Sequence, residues 1–271
     1  MQATALYAPL PVAGRTALVT GASSGFGEAV AWRLAEAGCR LVLVARRAER
    51  LEALQAQLVA AYQAAVHVVC LDLRDLEAVA ALPGSLPPDF SEVDILVNNA
   101  GLALGVATVE NQSVEDMHQM METNYFSVVV LTREVVKGMV ARNRGHIVNI
   151  SSVAGIEAYA GGGLYCASKH ALNAYTTAAR HELVGTNVRV TTVSPGACRT
   201  EFSVVRFKGD TEKADAVYAG MDPLLAADIA DNVMYAVTRP AHVQIADMLV
   251  YATYQCSAKG IARPKLEAAV Q

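Results

Sequence analysis

A tyrosine and a lysine four positions apart are the residues of this chain best suited to acid–base chemistry. Tyr165 and Lys169 begin and end the run Tyr-Cys-Ala-Ser-Lys, and a helix beginning near Leu164 would place both on one face, one turn apart. An ammonium group there favours the phenolate and lowers the pKa of the tyrosine from about 10. A tyrosine tuned in this way serves as a general acid or base. The alternative is a surface helix that carries a solvated Tyr and Lys.

Two serines are expected beside this pair. Ser151 and Ser152 close the apolar run at 147–150, so a hydroxyl is predicted at the carboxyl end of a strand. Open α/β sheets bind their ligands at that end. The sequence therefore predicts a hydroxyl, a phenol and an ammonium at one site.

A phosphate-binding turn is predicted between the first strand and the first helix. The apolar run 16–20 enters a turn with Gly21, Gly25 and Gly27, and apolar residues then recur at helical spacing until Gly38. Glycines allow a tight turn, and a helix N-terminus offers free N–H groups and partial positive charge to a phosphate. The spacing Gly-x-x-x-Gly-x-Gly differs from the usual dinucleotide pattern Gly-x-Gly-x-x-Gly. A tight turn without a ligand is the alternative.

The end of the second strand predicts which dinucleotide is bound. NAD-binding folds carry an Asp or Glu there for the ribose 2′-hydroxyl. In this chain the run 41–45 is followed by Arg46 and Arg47, and Ser23 and Ser24 supply hydroxyls nearby. Arginine binds a 2′-phosphate through paired hydrogen bonds, which favours NADP. The alternative is that the two arginines only begin the next helix.

Further polar residues follow the third and fourth strands. Asp72 ends the strand 66–72 and is expected to accept a hydrogen bond from the adenine amino group. The run Asn98-Asn-Ala-Gly101 places small, backbone-exposing residues where a cofactor would cross the sheet. Residues 82–91 contain three prolines and a glycine and are predicted to form a connecting loop.

Asn124 lies in an apolar helical region that is expected to begin after a cap at Ser113 and to continue to about Arg142. A buried asparagine is costly unless its amide is hydrogen-bonded. It either caps or kinks the helix, or it holds a water that leads to Lys169.

The alternation of strands and helices predicts a single α/β domain with a parallel sheet and helices on both faces. A length of 271 residues with 53% hydrophobic residues fits this class. We divide the chain into a short arm at 1–13, a domain at 14–256 and a tail at 257–271. Within the domain, the polar segment at about 197–220 is expected to form a lid over the carboxyl ends of the strands.

Composition excludes several classes of protein. A net charge of −4 argues against nucleic-acid binding, and no apolar run approaches the roughly 18 residues of a membrane span. The N-terminus does not resemble a secretory signal, so a cytoplasmic protein is expected. The five cysteines never form Cys-x-x-Cys and the histidines lack metal-ligand spacing, so no metal site is expected.

These motifs, in this order, resemble the short-chain dehydrogenase/reductase family. The resemblance covers roughly residues 14–256 and includes Pro195-Gly196 and the thirteen-residue separation of Ser152 and Tyr165. It implies a Rossmann sheet of seven parallel strands in the order 3-2-1-4-5-6-7 and a homo-oligomer, commonly a tetramer.

The resemblance also assigns roles to residues. Tyr165 would be the acid or base at the substrate oxygen, Ser152 would hydrogen-bond that oxygen, and Asn124 would position a water of a proton relay. Lys169 would lower the pKa of the tyrosine and hold the nicotinamide ribose. The cofactor NADP is expected to contact Gly21, Ser23, Ser24, Gly25, Phe26, Gly27, Arg46, Arg47, Asp72, Leu73, Asn99, Ala100, Gly101, Tyr165, Lys169, Pro195, Gly196, Cys198 and Thr200.

A narrower resemblance lies in the carboxyl-terminal third. The run from Thr200 to Asp210 is similar to the substrate loop of the NADP-dependent 3-hydroxy acid dehydrogenases, which act on serine, allo-threonine and 3-hydroxypropionate-type acids. The chain departs from that group at Cys198-Arg199 and in the run Gly161-Gly-Gly163.

The substrate is expected to contact Ser152 and Tyr165. Arg206 and Lys208 are the candidate cations for a substrate carboxylate, and ordinary loop charge is their alternative. The main hypothesis is an NADP-dependent oxidoreductase that acts on a small 3-hydroxy acid. A reductase of uncharged ketones is the second hypothesis, and a cofactor-binding protein without catalysis is the third.

Overall fold

The computed structural model describes residues 9–264, whose strands form one parallel sheet in the order β3-β2-β1-β4-β5-β6-β7. The α/β class and the strand order expected from the sequence are therefore confirmed. The strands are β1 (Thr16–Thr20), β2 (Arg40–Ala45), β3 (Val66–Cys70), β4 (Val93–Asn98), β5 (Gly145–Ile150), β6 (Val188–Pro195) and β7 (Asp247–Val250).

Helices cover both faces of the sheet. The α-helices are α1 (Gly25–Glu36), α2 (Ala48–Tyr62), α3 (Leu76–Ser85), α4 (Val114–Met121), α5 (Ser127–Ala141), α6 (Gly163–Glu182), α7 (Phe202–Arg206), α8 (Thr211–Ala216) and α9 (Ala226–Val237). Side chains of α1, α2 and α9 pack in one apolar core, and side chains of α3 and α5 pack in a second core on the opposite face.

Alternate residues of each central strand enter these two cores. In β1, Ala17 and Val19 belong to the core that contains α1, whereas Leu18 belongs to the core that contains α5. A strand that is buried on both faces needs apolar residues at every position. This is why the central strands appear in the sequence as short, continuous apolar runs, and it brings their carboxyl ends to one edge.

The expected loop at 82–91 is wrong in its first part. Helix α3 continues to Ser85 and contains Pro83. A proline removes one backbone N–H from the helix, but here the helix ends two residues later, so little further hydrogen bonding is lost. The N-terminus of α3 is capped by Asp75, which accepts a hydrogen bond from the backbone N–H of Ala78 at 3.0 Å.

The helical region after Ser113 begins as expected and then departs from the prediction of one helix. The Ser113 hydroxyl accepts a hydrogen bond from the backbone N–H of Asp116 at 3.2 Å, which confirms the cap. A wide π-turn at Glu122–Phe126 interrupts the region between α4 and α5. The π-turn contains Asn124 and so positions it for the site.

The chain on either side of the predicted 14–256 domain packs onto that domain where the structure describes it. Val12 is buried, and the backbone N–H of Leu10 donates to Thr238 O at 2.7 Å. At the other end, the backbone N–H of Ala258 donates to Glu157 Oε2 at 2.9 Å. The remainder of the predicted arm and tail, at 1–8 and 265–271, lies outside the described residues.

Two negative findings apply to residues 9–264. None of their helices has the length and apolar character that crossing a membrane requires. Within the same range, no three His, Cys, Asp or Glu side chains are grouped so that they could hold a metal ion.

Candidate active site

One cavity of about 620 Å³ follows the carboxyl ends of the strands, from the turn after β1 to the N-terminal half of α6. Most residues predicted for the cofactor and the reaction line it together: Gly21, Ser23, Ser24, Gly25, Phe26, Arg46, Arg47, Asp72, Leu73, Asn99, Ala100, Gly101, Ser152, Tyr165, Lys169, Pro195, Gly196, Cys198, Thr200 and Arg206. The structure places Gly27, Asn124 and Lys208 outside this lining.

The glycine turn after β1 has a shape that larger residues would not allow. Gly21 and Gly25 adopt positive φ angles of 66° and 58°, a region that favours glycine. A Cβ atom at Gly27 would overlap the carbonyl oxygen of Gly21, so Gly27 lets α1 approach the turn closely. The N-terminus of α1 thus opens directly onto the cavity, as a phosphate cradle requires.

Arg47 and the two serines of the turn form one polar cluster. The Arg47 Nη2 donates to Ser24 Oγ at 2.7 Å and to Ser23 Oγ at 3.0 Å. Arg46 also lines this end of the cavity. A guanidinium group with two hydroxyls fits the 2′-phosphate of NADP, so the residues present agree with the predicted cofactor.

Asp72 also lines this end, but its carboxylate is already paired. Arg74 Nη2 donates to Asp72 Oδ2 at 2.6 Å, and Arg74 Nε contacts both carboxylate oxygens. The hydrogen bond from Arg74 is the main reason that the pKa of Asp72 lies below its ordinary value. A contact between Asp72 and an adenine amino group stays a prediction.

The reacting groups meet at the other end of the cavity. Ser152 follows β5, and its Oγ accepts a hydrogen bond from the backbone N–H of Ala154 at 3.1 Å. Tyr165 lies in the first turn of α6 and packs against Phe202 of α7 with ring centroids 5.4 Å apart. One turn later, Lys169 donates from Nζ to the carbonyl oxygen of Ile150 at 2.9 Å.

The pKa of Tyr165 is raised above its ordinary value of 10, contrary to the expectation that Lys169 would lower it. Burial is the main cause, and it outweighs the opposing effects of a hydrogen bond with Ser152 and of the Arg206 charge. Burial also lowers the pKa of Lys169 to about 8. Lys169 therefore loses its proton more readily than an exposed lysine. Its ammonium group donates to the backbone carbonyl of Ile150 and not to the phenol of Tyr165.

Asn124 is fully buried and fixes the loop after β4. Its Nδ2 donates to Leu102 O at 2.8 Å and to Ser168 Oγ at 3.0 Å, and its Oδ1 accepts from the backbone N–H of Leu102 at 2.8 Å. A Cβ atom built at Gly101 would lie 3.3 Å from both Asn124 Oδ1 and Lys169 Nζ. Asn124 is thus a close neighbour of the lysine, and its role in a water relay stays a prediction.

The two candidate substrate cations of the lid have different surroundings. Arg206 lines the cavity, and its guanidinium donates to Tyr159 Oη at 3.0 Å and to Gly105 O at 3.3 Å. Lys208 lies outside the cavity and forms an ion pair with Asp116 at 2.9 Å. Of the two, Arg206 lines the cavity that also contains Ser152 and Lys169, whereas Lys208 borders a smaller cavity of about 230 Å³ on another side of Tyr165.

Three charged residues of the cavity were missed by the sequence analysis. Glu201 contacts Arg47 from the lid, and Arg263 lines the cavity from the segment treated as a tail. From the same segment, Lys259 reaches the cavity with its Nζ 4.6 Å from the ring centroid of Tyr159. The sequence gives none of the three a role. The contact of Glu201 depends on how the lid meets Arg47, and the placement of Lys259 and Arg263 depends on how the last described part of the chain folds back.

Comparison with known families decides the class of this site. A family model described as short chain dehydrogenase matches residues 15–210, well over half of the chain. The chain belongs to the short-chain dehydrogenase family. The membership predicted from the motifs is thereby confirmed, and this short-chain dehydrogenase is an oxidoreductase that acts on CH–OH groups.

Curated relatives of this short-chain dehydrogenase match nearly its whole length. It is 42% identical over 251 residues to the NADP-dependent 3-hydroxy acid dehydrogenase of Schizosaccharomyces pombe, covering 92% of this chain and 97% of the relative. It is 46% identical over 229 residues to an enzyme of the same name from Salmonella typhi, covering 84% and 91%. Identity to a serine 3-dehydrogenase of Rhizobium radiobacter is 40% over 230 residues, covering 85% and 90%.

Solved structures agree with this assignment. A closed form of serine dehydrogenase complexed with NADP⁺ superposes with a TM-score of 0.85 at 42% identity, covering 90% of this short-chain dehydrogenase and 97% of that chain. An alcohol dehydrogenase of the archaeon Thermococcus sibiricus, complexed with 5-hydroxy-NADP, superposes with a TM-score of 0.79 at 28% identity, covering 89% and 98%.

Proposed function

We propose that this chain is an NADP-dependent dehydrogenase that interconverts a small 3-hydroxy acid, such as serine, allo-threonine or 3-hydroxypropionate, and the corresponding 3-oxo acid. One observation carries the proposal. A single cavity joins Arg47 and its serine partners at one end to Ser152, Tyr165 and Arg206 at the other. The names of the relatives support the same cofactor and substrate class.

Each residue at the reacting end of the cavity has a separate role in the oxidation of the substrate. The Ser152 hydroxyl hydrogen-bonds the substrate hydroxyl and holds it beside Tyr165. The phenol first loses its own proton to solvent, and the resulting phenolate takes up the proton of the substrate hydroxyl. NADP⁺ would be held by Arg47, Ser23 and Ser24 at the other end of the cavity and would supply the hydride acceptor for the carbinol carbon. Lys169 lines the cavity one helical turn after Tyr165 and would hold the nicotinamide ribose, and Arg206 orients the carboxylate from the lid. In the reduction these residues act in the reverse order.

A substrate screen tests this function directly. We expect NADP⁺ reduction with serine, allo-threonine and 3-hydroxypropionate, and a lower KM for NADP⁺ than for NAD⁺. Reaction rates are read from NADPH absorbance, and a panel of neutral secondary alcohols and ketones serves as the comparison. Higher kcat/KM on the neutral panel would favour the ketone reductase, and equal or better use of NAD⁺ would contradict the NADP preference.

Replacement of Arg206 separates carboxylate binding from general catalysis. Arg206→Ala is expected to raise KM for a 3-hydroxy acid about ten- to a hundred-fold, since a charge-assisted hydrogen bond contributes roughly 1.5–3 kcal/mol. The rate on a neutral ketone should change little. Lys208→Ala is the matched control, because Lys208 lies two positions along the lid but is paired with Asp116 outside the cavity. Equal losses on both substrates would assign Arg206 a purely structural role.

Two further predictions concern the protein as a whole. We propose a homotetramer, which the family resemblance supports, and a cytoplasmic location. Light scattering behind a size-exclusion column measures the mass of the assembly, and a monomeric mass would contradict the tetramer.

Fractionation of the native cells tests the proposed cytoplasmic location.

A further inference from the structure

The carboxylate of Glu201 contacts two arginines at the cofactor end of the cavity. Its oxygens accept hydrogen bonds from Arg50 Nη1 at 2.7 Å and from Arg47 Nη1 at 2.9 Å. Glu201 directly precedes α7 of the lid, whereas Arg47 directly precedes α2 and Arg50 lies in its first turn. A single side chain therefore connects the lid to the helix that follows β2.

The charges of this cluster do not cancel. Two guanidinium groups face one carboxylate, so the cluster has an excess of one positive charge. Hydrogen bonds from Arg50 and from Arg47 lower the pKa of Glu201 to about 2, so the carboxyl group is ionised at any pH used for an assay. All three side chains are close to half exposed, so an anion from solution can reach them.

The same guanidinium group of Arg47 belongs to the predicted 2′-phosphate site. It holds Ser23 and Ser24 through Nη2 and Glu201 through Nη1, and all four residues line one end of the cavity. A phosphate monoester carries roughly −1.5 to −2 charges at neutral pH. A 2′-phosphate on Arg47 would meet the carboxylate as a competing anion, and like charges at contact distance repel each other.

We propose that Glu201 occupies the place of the 2′-phosphate: in the free protein its carboxylate holds Arg47 and Arg50, and NADP(H) displaces it, whereas NAD(H) leaves it in place. The inference rests on the proposed NADP dependence and adds a residue that determines cofactor specificity. Glu201 weakens binding of the 2′-phosphate because the carboxylate must first be released. Its release also detaches the start of α7 from α2, so the lid responds to the 2′-phosphate.

Binding of two cofactor fragments tests the competition. We measure the Kd of adenosine 2′,5′-bisphosphate and of 5′-AMP by calorimetry on the full chain at low ionic strength. Glu201→Gln is expected to tighten binding of the bisphosphate about three- to ten-fold, as expected for loss of one like charge near the surface, and to leave 5′-AMP unchanged. Weaker or unchanged binding of the bisphosphate, or equal tightening of both fragments, overturns the proposal.

Glu36→Gln is the matched control for this measurement. Glu36 also pairs with an arginine, Arg33, at 3.2 Å and has a similar exposed fraction, but it lies at the end of α1, away from the cavity lining. It should leave the Kd of both fragments unchanged. If the unmodified protein binds the two fragments equally, the NADP preference itself fails. If it prefers the bisphosphate and Glu201→Gln does not alter that preference, only the role of Glu201 fails.

Hydrogen exchange tests the release of the lid. The backbone amides of residues 202–207 are expected to exchange faster when adenosine 2′,5′-bisphosphate is bound, but not with 5′-AMP. In Glu201→Gln they should exchange fast without any ligand. Slower or unchanged exchange with the bisphosphate would show that the carboxylate stays on its arginines.

Discussion

Tyr165→Phe is expected to lower kcat by about 10²- to 10⁴-fold, the range over which a positioned general acid or base acts. The phenol oxygen of Tyr165 is placed to exchange a proton with a substrate held by Ser152. The ring itself stays packed against Phe202, so fold and cavity should be preserved. The Kd of NADPH, measured by fluorescence titration, should therefore change by no more than about two-fold.

Tyr159→Phe is the control for this variant. Tyr159 lines the same cavity, and burial raises its pKa as it does that of Tyr165, but its hydroxyl is occupied by Arg206. Its replacement should affect KM for the acid more than kcat. Turnover by Tyr165→Phe at a rate near that of the unmodified enzyme would contradict the assignment of the proton transfer.

Lys169→Met is expected to lower kcat by roughly 10²- to 10³-fold, comparable with the removal of a positioned charged donor. We also expect the variant to be more stable than the unmodified protein at neutral pH, by a margin that is smaller at alkaline pH. Burial lowers the pKa of Lys169 from 10.5 to about 8. Holding a proton on this buried amine costs free energy of folding, and methionine removes that cost at the expense of one hydrogen bond to Ile150 O.

The sign of the pH effect follows from the bound protons. Between pH 8 and 10.5 the unfolded chain keeps the Lys169 proton and the folded chain loses it, so stability of the unmodified protein rises with pH in this window. The cost is complete below pH 8 and absent above 10.5. The difference in free energy of unfolding between Lys169→Met and the unmodified protein should thus shrink by roughly 2–3 kcal/mol from pH 7 to pH 10.

Urea unfolding of the cofactor-free chain at several pH values measures this difference. Lys137→Met is the control, because Lys137 is largely exposed and pairs with Glu134 on the surface of α5. The control should show no comparable change between pH 7 and 10. A constant difference for Lys169→Met across this range would mean that Lys169 is not desolvated in the free protein.

The parts of the fold that were predictable are those whose physical cause is local. Continuous apolar runs marked the buried strands, and the Ser113 cap marked the start of α4. The strand order followed from the resemblance to the family. The meeting of Ser152, Tyr165 and Lys169 followed from a strand end and a four-residue helical spacing. Pro83 misled the prediction because a proline in the last turn of a helix resembles a loop residue.

The parts that were not predictable depend on contacts between distant segments. The pKa of Tyr165 depends on how deeply the lid buries the phenol, which a four-residue spacing to Lys169 does not reveal. Glu201 contacts arginines about 150 positions earlier in the chain, and Lys259 approaches the ring of Tyr159, which lies 100 positions earlier. Charge and composition of the lid and tail give no indication of either partner.

The π-turn at Glu122–Phe126 sets the rotational phase of two helices relative to each other. Each residue of an α-helix turns the chain by about 100°, so one residue more in a wide turn shifts everything that follows by that angle. Before the turn, Met120 packs in the apolar cluster that contains Tyr165. After the turn, Leu131 and Met139 belong to the core formed with α3. The packing of α4 and α5 therefore fixes the direction of the Asn124 amide. A substitution that shifts either helix in its core would also turn this amide at the site.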